Sequence, residues 1–186
     1  MMIQQVDLLD VVRRFEEIPS HQIASKPWLQ VAYGWVKAYV GPPGDVDRIL
    51  QQAGQALSNV ADALERQHLT GHLAALQAYV SWMRGEPNAA LKFAHEVLEN
   101  MPEDDWATRI HVLNIQGLAW QYQMNLPMAE QSFEMAAVAS RRTDKSRVAY
   151  TYSNLAFASL LHGRLYQAFS YCQQAIQLSD DSDRDL

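Results

Sequence analysis

The chain has 186 residues, 48% of them hydrophobic and 19% charged, with a formal net charge of -6. This much apolar material supports a buried core and excludes an intrinsically disordered chain, and the acidic balance argues against a surface that grips a nucleic-acid backbone. The single cysteine, Cys172, excludes an internal disulfide, the start MMIQQVDLLD lacks the basic head and apolar run of a signal peptide, and the longest uncharged segment, 110–129, is too rich in His, Asn and Gln to span a membrane, so the cytoplasm is the expected compartment.

The first helix is expected over residues 3–17, because Val6, Leu8, Leu9, Val11, Val12 and Phe15 recur at helical spacing. Pro19 and the polar SHQIAS segment end it. Pro27 then suits the first turn of a second helix, WLQVAYGWVKAYV, over 28–40. GPPG at 41–44 breaks the chain, and Asp45 can cap a third helix that continues to about Arg66, with Val46, Ile49, Leu50, Ala53, Leu57, Val60, Ala61 and Leu64 on one face.

Three helix pairs follow at a constant interval of 39 residues. The leading and trailing helices are expected at 69–84 and 87–99, at 106–124 and 127–140, and at 147–162 and 165–178, joined by the turns RGEP, MNLP and HGRL. With 28–66 they make hairpins over 28–66, 69–99, 106–140 and 147–178. Small residues return at fixed phases: Ala78, Gly117 and Ala156 in the leading helices, and Ala90, Ala129 and Ala168 in the trailing ones. A small side chain at a crossing point lets two helices approach closely. Gly85 and Gly163 suit the left-handed residue past a helix end. Met124 departs from that pattern, and Asn125 beside it is an alternative holder of the conformation. The linkers NMPEDD and RRTDKS are short and polar, and SDDSDRDL at the end is expected to fray or to lead into a longer protein. No strand pattern competes. The expected fold is all-α, a single repeat domain over 1–186 in which helical hairpins stack as a right-handed solenoid.

At these phases the chain resembles the tetratricopeptide repeat, with a small residue late in the first helix, Gly at the turn, and small or aromatic residues along the second: Ala94, Phe133 and Cys172, then Val97, Ala136 and Ala175. The familiar repeat has 34 residues, so each copy here is longer by about one helical turn plus linker. Longer repeats of this kind resemble the sensor segment of MalT-type regulators, the large LuxR-family transcriptional activators with a signal-transducing ATPase. LLDVVRRFEEIP followed by KPWLQVAYGWVKAYVG resembles the start of that segment. RGEPNAALKFAHEVLENMPED resembles one of its hairpins, and YTYSNLAFASLLHGRLYQAFSYCQQAIQL its last typical repeat. The likeness covers nearly the whole chain.

The resemblance implies that the leading helices line a concave surface. On that stripe the spacing places His72, Ala75, Tyr79, Trp82 and Met83. The next copies place His111, Asn114, Leu118, Gln121 and Tyr122, then Tyr150, Ser153, Phe157, Leu160 and Leu161. Leu118, Phe157, Leu160 and Leu161 are expected in the core between repeats. The others, His72, Tyr79, Trp82, His111, Asn114, Gln121, Tyr122, Tyr150 and Ser153, are the candidate binding residues. Aromatic rings with a few amides and imidazoles suit sugars or peptides through stacking and hydrogen bonds.

The resemblance further implies that a small-molecule inducer or a regulatory protein docks here and shifts the self-association of a full-length regulator. The chain lacks a G-x-x-x-x-G-K-[ST] phosphate loop and a basic helix-turn-helix, so it does not hydrolyse ATP or contact nucleic acid through those elements. A stand-alone adaptor that captures a peptide or protein in its groove is the alternative. No catalytic constellation is visible, so the chain is not expected to be an enzyme or to carry a cofactor. His68 and His72 stand four apart on a helix but lack a third ligand, so no metal is expected. Arg141, Arg142, Lys145 and Arg147 read as a solvated linker, with an anionic ligand or acidic partner as the functional reading. Cys172 falls at a packing phase and is expected to be a buried structural thiol.

Overall fold

Among the described residues the chain forms ten helices and no strand: α1 (Gln5–Glu17), α2 (Ser20–Ser25), α3 (Pro27–Val40), α4 (Gly44–Leu57), α5 (Ala63–Met83), α6 (Pro87–Asn100), α7 (Trp106–Tyr122), α8 (Leu126–Ser140), α9 (Lys145–Leu161) and α10 (Leu165–Arg184). The structure is a computed structural model. It describes residues 5–41, 44–102, 104–141 and 145–184, and the side chains of 10–41, 44, 46–102, 104–141 and 147–179. The side chains of Val6, Leu8 and Leu9, the prolines of GPPG, the Asp45 cap, and the Arg142 and Lys145 side chains lie outside these.

Local chemistry sets the helix ends. The side chains of Asp62, Asp105 and Asn125 accept from the backbone N–H of Glu65, Thr108 and Met128, satisfying donors that the first turn leaves free. The three hairpin turns share one device. Gly85, Met124 and Gly163 all have positive φ, at 73°, 59° and 74°. The next residue then reaches back across the turn. Glu86 N–H donates to Ser81 O, Asn125 N–H to Trp120 O and Arg164 N–H to Ser159 O, each at 2.9 Å. This closure satisfies carbonyls that the last helical turn leaves unpaired. Met124 therefore takes the left-handed conformation itself, and Asn125, at φ -86°, serves as the cap of α8.

Three boundaries differ from the periodicity reading. SHQIAS, read as a break, forms the short helix α2. The third helix stops at Leu57 instead of near Arg66, because Asp62 caps a new helix and Val60 folds under the turn, 8% exposed. Residues 63–66 thus open α5. At the other end α10 runs on to Arg184, past the expected fray point.

The helices pair as α3–α4, α5–α6, α7–α8 and α9–α10. Each leading helix after the first also seats in the groove of the hairpin before it: α5 against α3 and α4, α7 against α5 and α6, α9 against α7 and α8. Among the described residues no trailing helix touches another trailing helix. Elements on the inside of a bend approach one another while those outside fan apart, so the array curves toward its leading helices. The cores follow the same grouping. Ala75, Ala78, Ala90, Ala94, Val97, Val112 and Ala119 fill one groove, and Ala129, Phe133, Ala137, Leu155 and Ala158 fill the next. The fold is the expected all-α stack of hairpins.

Leu118 packs against the second of these cores, as expected. Phe157, Leu160 and Leu161 do not: they are 52%, 49% and 41% exposed. Cys172 is likewise exposed. All four belong to the α9–α10 hairpin, on which no further leading helix is seated among the described residues, so the phases of Leu118, Gln121 and Phe133, covered in the hairpin before, leave Phe157, Leu160 and Cys172 at the surface, while Leu161 shares the exposed phase of Met83 and Tyr122.

Candidate functional site on the concave face

Aromatic rings from three leading helices converge on the inner face. Trp35 and Tyr39 stand four apart on α3 and stack at 5.9 Å. Tyr79 on α5 meets both, with centroids 5.7 Å from Trp35 and 5.2 Å from Tyr39. It also meets Trp82 one turn along, at 6.0 Å. From α7, His111 completes the cluster, 5.1 Å from Trp35 edge-on and 5.8 Å from Tyr79. Tyr39 is 46% exposed, so the cluster opens to solvent on this ring, and Tyr150, near enough to act on the Tyr39 and Tyr79 phenols, is 50% exposed.

The electrostatics follow from this crowding. Burial, then the nearby phenols of Tyr79 and Tyr150, pushes the Tyr39 hydroxyl up to about 12, against the lowering effect of the Arg147 guanidinium. Tyr79 is raised by burial and by Tyr150. Burial, with Arg147 in support, lowers His111 to about 4. His111 is therefore a neutral imidazole at physiological pH, and its Nε2 is buried without a hydrogen-bond partner among the described residues. The face thus offers neutral rings and phenols, with the Arg147 guanidinium donating to Ala107 O at 3.3 Å. Such a surface stacks against flat or apolar groups and hydrogen-bonds at its phenols.

The other candidates lie apart from this cluster. His72 sits edge-on to Trp28 at 5.3 Å, with Nε2 3.5 Å from Asp105 and Nδ1 3.4 Å from the Thr108 hydroxyl. Burial lowers its pKa, opposed by Asp105 and helped by His68. Since Asp105 also caps α7, this group ties α5 to the start of the next hairpin. Asn114 is 2% exposed and clasps two repeats. Its amide donates to Ile110 O at 2.9 Å and to the Thr151 hydroxyl at 3.1 Å, and its carbonyl accepts from Asn154 at 2.8 Å. Gln121 is also buried, with no hydrogen-bond partner for Oε1 among the described residues. Tyr122 is 66% exposed and stands beside the Gly85 turn. Ser153 is exposed and turns its hydroxyl back to Ala149 O at 3.0 Å.

Of the nine candidates the structure therefore joins Tyr79, Trp82 and His111, with Tyr150 facing them. Trp35, Tyr39 and Arg147 belong to the same face and were absent from the sequence set. The aromatic pair four apart in WVKAY was the available signal for the first two, but α3 precedes the 39-residue repeat. Arg141 is exposed, in keeping with a solvated linker, while Arg147 is half-buried. Among the described residues no three His, Cys, Asp or Glu side chains gather to hold a metal. No described helix is long and apolar enough to cross a membrane.

A family model described as the MalT-like TPR region matches residues 71–185. Among solved structures, the crystal structure of BtubC (BKLC) from P. vanneervenii is similar to this chain with a TM-score of 0.60. That likeness covers 96% of this chain and 73% of that one at 16% sequence identity, and is one of fold. No curated protein matches the sequence.

Proposed function

The chain belongs to the MalT-like TPR region family, and from that membership we propose that it is the binding and signal-sensing segment of a MalT-type, LuxR-family transcriptional regulator. The observation that carries the reading is the cluster of Trp35, Tyr39, Tyr79, Trp82 and His111 on the concave side, drawn from three successive hairpins. A ligand that touches Tyr39, Tyr79 and Tyr150 together contacts α3, α5 and α9, so its binding energy depends on how the hairpins are stacked. Differential affinity for two stackings is what a sensor requires. On this reading the occupant is a small-molecule inducer or a regulatory protein, the chain is cytoplasmic, and its work is binding, not turnover.

A thermal-shift screen against oligosaccharides and short peptides, run on the chain and on its Tyr39→Ala and Tyr150→Ala variants, tests the site. A ligand that raises the melting temperature of the parent and not of the variants supports it. Ligands that stabilise all three alike place binding elsewhere. The regulator half of the reading is tested by the native reading frame, where a phosphate-binding loop on one side and a helix-turn-helix on the other are expected.

A further inference from the structure

Three phenols from three hairpins come together on the concave face: Tyr39 on α3, Tyr79 on α5 and Tyr150 on α9. The Tyr39 and Tyr79 rings are 5.2 Å apart, and Tyr150 is near enough to oppose the ionisation of both. Burial holds the Tyr39 and Tyr79 hydroxyls above their ordinary range, so at neutral pH both are intact O–H donors. The Arg147 guanidinium is close enough to lower Tyr39 and His111, and it donates to Ala107 O at 3.3 Å near the start of α7.

Acidic side chains are kept away from this set. The leading helices α3, α5, α7 and α9 contain a single acid, Glu65, whereas the trailing helices α4, α6, α8 and α10 contain nine. Glu65 lies about 21 Å along α5 from Tyr79, where it accepts from Trp28 Nε1 at 3.2 Å. Among the described residues, no carboxylate is among the groups that act on Tyr39, Tyr79 or His111. With His111 neutral, Arg147 sets the sign of the field there, although the chain carries a net charge of -6.

Carboxylate and phosphate oxygens accept only, and hydroxyl and guanidinium donors match them with charge-assisted bonds. Beside these donors, Tyr39 stacks on Trp35 at an interplanar angle of 26° and is 46% exposed, which leaves ring surface for a flat group. Resting on the concave-face reading above, we propose that the ligand is an organic oxyanion with a flat ring, its carboxylate or phosphate held by the Tyr39, Tyr79 and Tyr150 hydroxyls and Arg147, and its ring laid on Tyr39.

The test is calorimetric titration of the full chain with benzoate, phenyl phosphate, neutral benzamide and inorganic phosphate. One of the two aryl anions is expected to bind about tenfold or more tighter than benzamide and than inorganic phosphate, and the tighter of the pair identifies the anionic group. Added salt is expected to weaken it. Tyr39→Phe and Tyr150→Phe keep the rings and remove the hydroxyls. Each is expected to weaken the anion about fivefold or more and to leave benzamide unchanged. Tyr166→Phe, at a site 89% exposed on α10, is expected to change neither. Circular dichroism confirms that the variants fold. The proposal is overturned if benzamide or inorganic phosphate binds as tightly as the aryl anions, if both Phe variants leave anion binding unchanged, or if no probe saturates. Benzamide binding equal to that of the anions and abolished by Tyr39→Ala removes the charge assignment and keeps the concave site. Binding of every probe that ignores Tyr39→Ala and Tyr150→Ala removes both.

Discussion

Phe133 lies against the backbone of Gly117: a Cβ built on Gly117 would stand 2.6 Å from Cδ1 and 2.7 Å from Cζ of the ring. In the first repeat the same two phases hold Ala78 and Ala94, both fully buried in one cluster. The second repeat has moved volume from the leading helix to the trailing one. Gly117→Ala is expected to cost about 1–3 kcal/mol by overpacking, despite the better helix propensity of alanine. Phe133→Ala is expected to cost about 3–5 kcal/mol through the cavity it opens. The double variant, which restores the alanine pair, should cost less than the sum by about 1 kcal/mol or more. Urea denaturation of the four proteins measures this coupling, and simple additivity would falsify the volume exchange.

Met124 occupies a left-handed conformation that its repeats assign to glycine. The strain is roughly 1–2 kcal/mol for a residue with a Cβ, and glycine returns about 0.4–1 kcal/mol of that as unfolded-state entropy. Since Met124 is 67% exposed, little packing is lost. Met124→Gly is expected to stabilise by about 0.5–1 kcal/mol, seen as a higher melting temperature. Gly163→Ala, where added atoms meet nothing within 4 Å, should destabilise through the backbone alone.

Asn114 and Tyr150 belong to one stripe by sequence but differ in burial, at 2% and 50% exposed. Asn114→Ala removes three hydrogen bonds between and within repeats and should cost about 2–3 kcal/mol. Tyr150→Ala should change stability by no more than about 0.5 kcal/mol while weakening any concave-face ligand. Chemical denaturation of the pair separates a packing amide from a surface ring.

His111 makes stability depend on pH. Its folded pKa is about 4, below the ordinary 6.5, so the unfolded chain binds a proton that the folded chain refuses. The stabilisation is complete above pH 6.5 and is lost as pH falls from there toward 4, by at most on the order of 3 kcal/mol. His72, also lowered, adds in the same direction. Urea midpoints measured from pH 8 to pH 4.5 should fall less steeply for His111→Gln. An identical slope would mean that other groups carry the acid sensitivity.

The repeat is legible from local residue order alone. Helix pairs, their turns and the small residues at the crossings depend on neighbours a few positions away, and 39-residue self-similarity exposes them. Left-handed turns at Gly85 and Gly163 were legible for the same reason. Tertiary structure decided what lay across repeats or ahead of them. Whether Asn114 faces a ligand or Thr151, whether Cys172 is covered, and whether Trp35 and Tyr39 join Tyr79 depend on which helix lies over each stripe. Periodicity assigns a residue to a face of its own helix. Burial depends on the next helix, and that helix is set by the curvature of the stack.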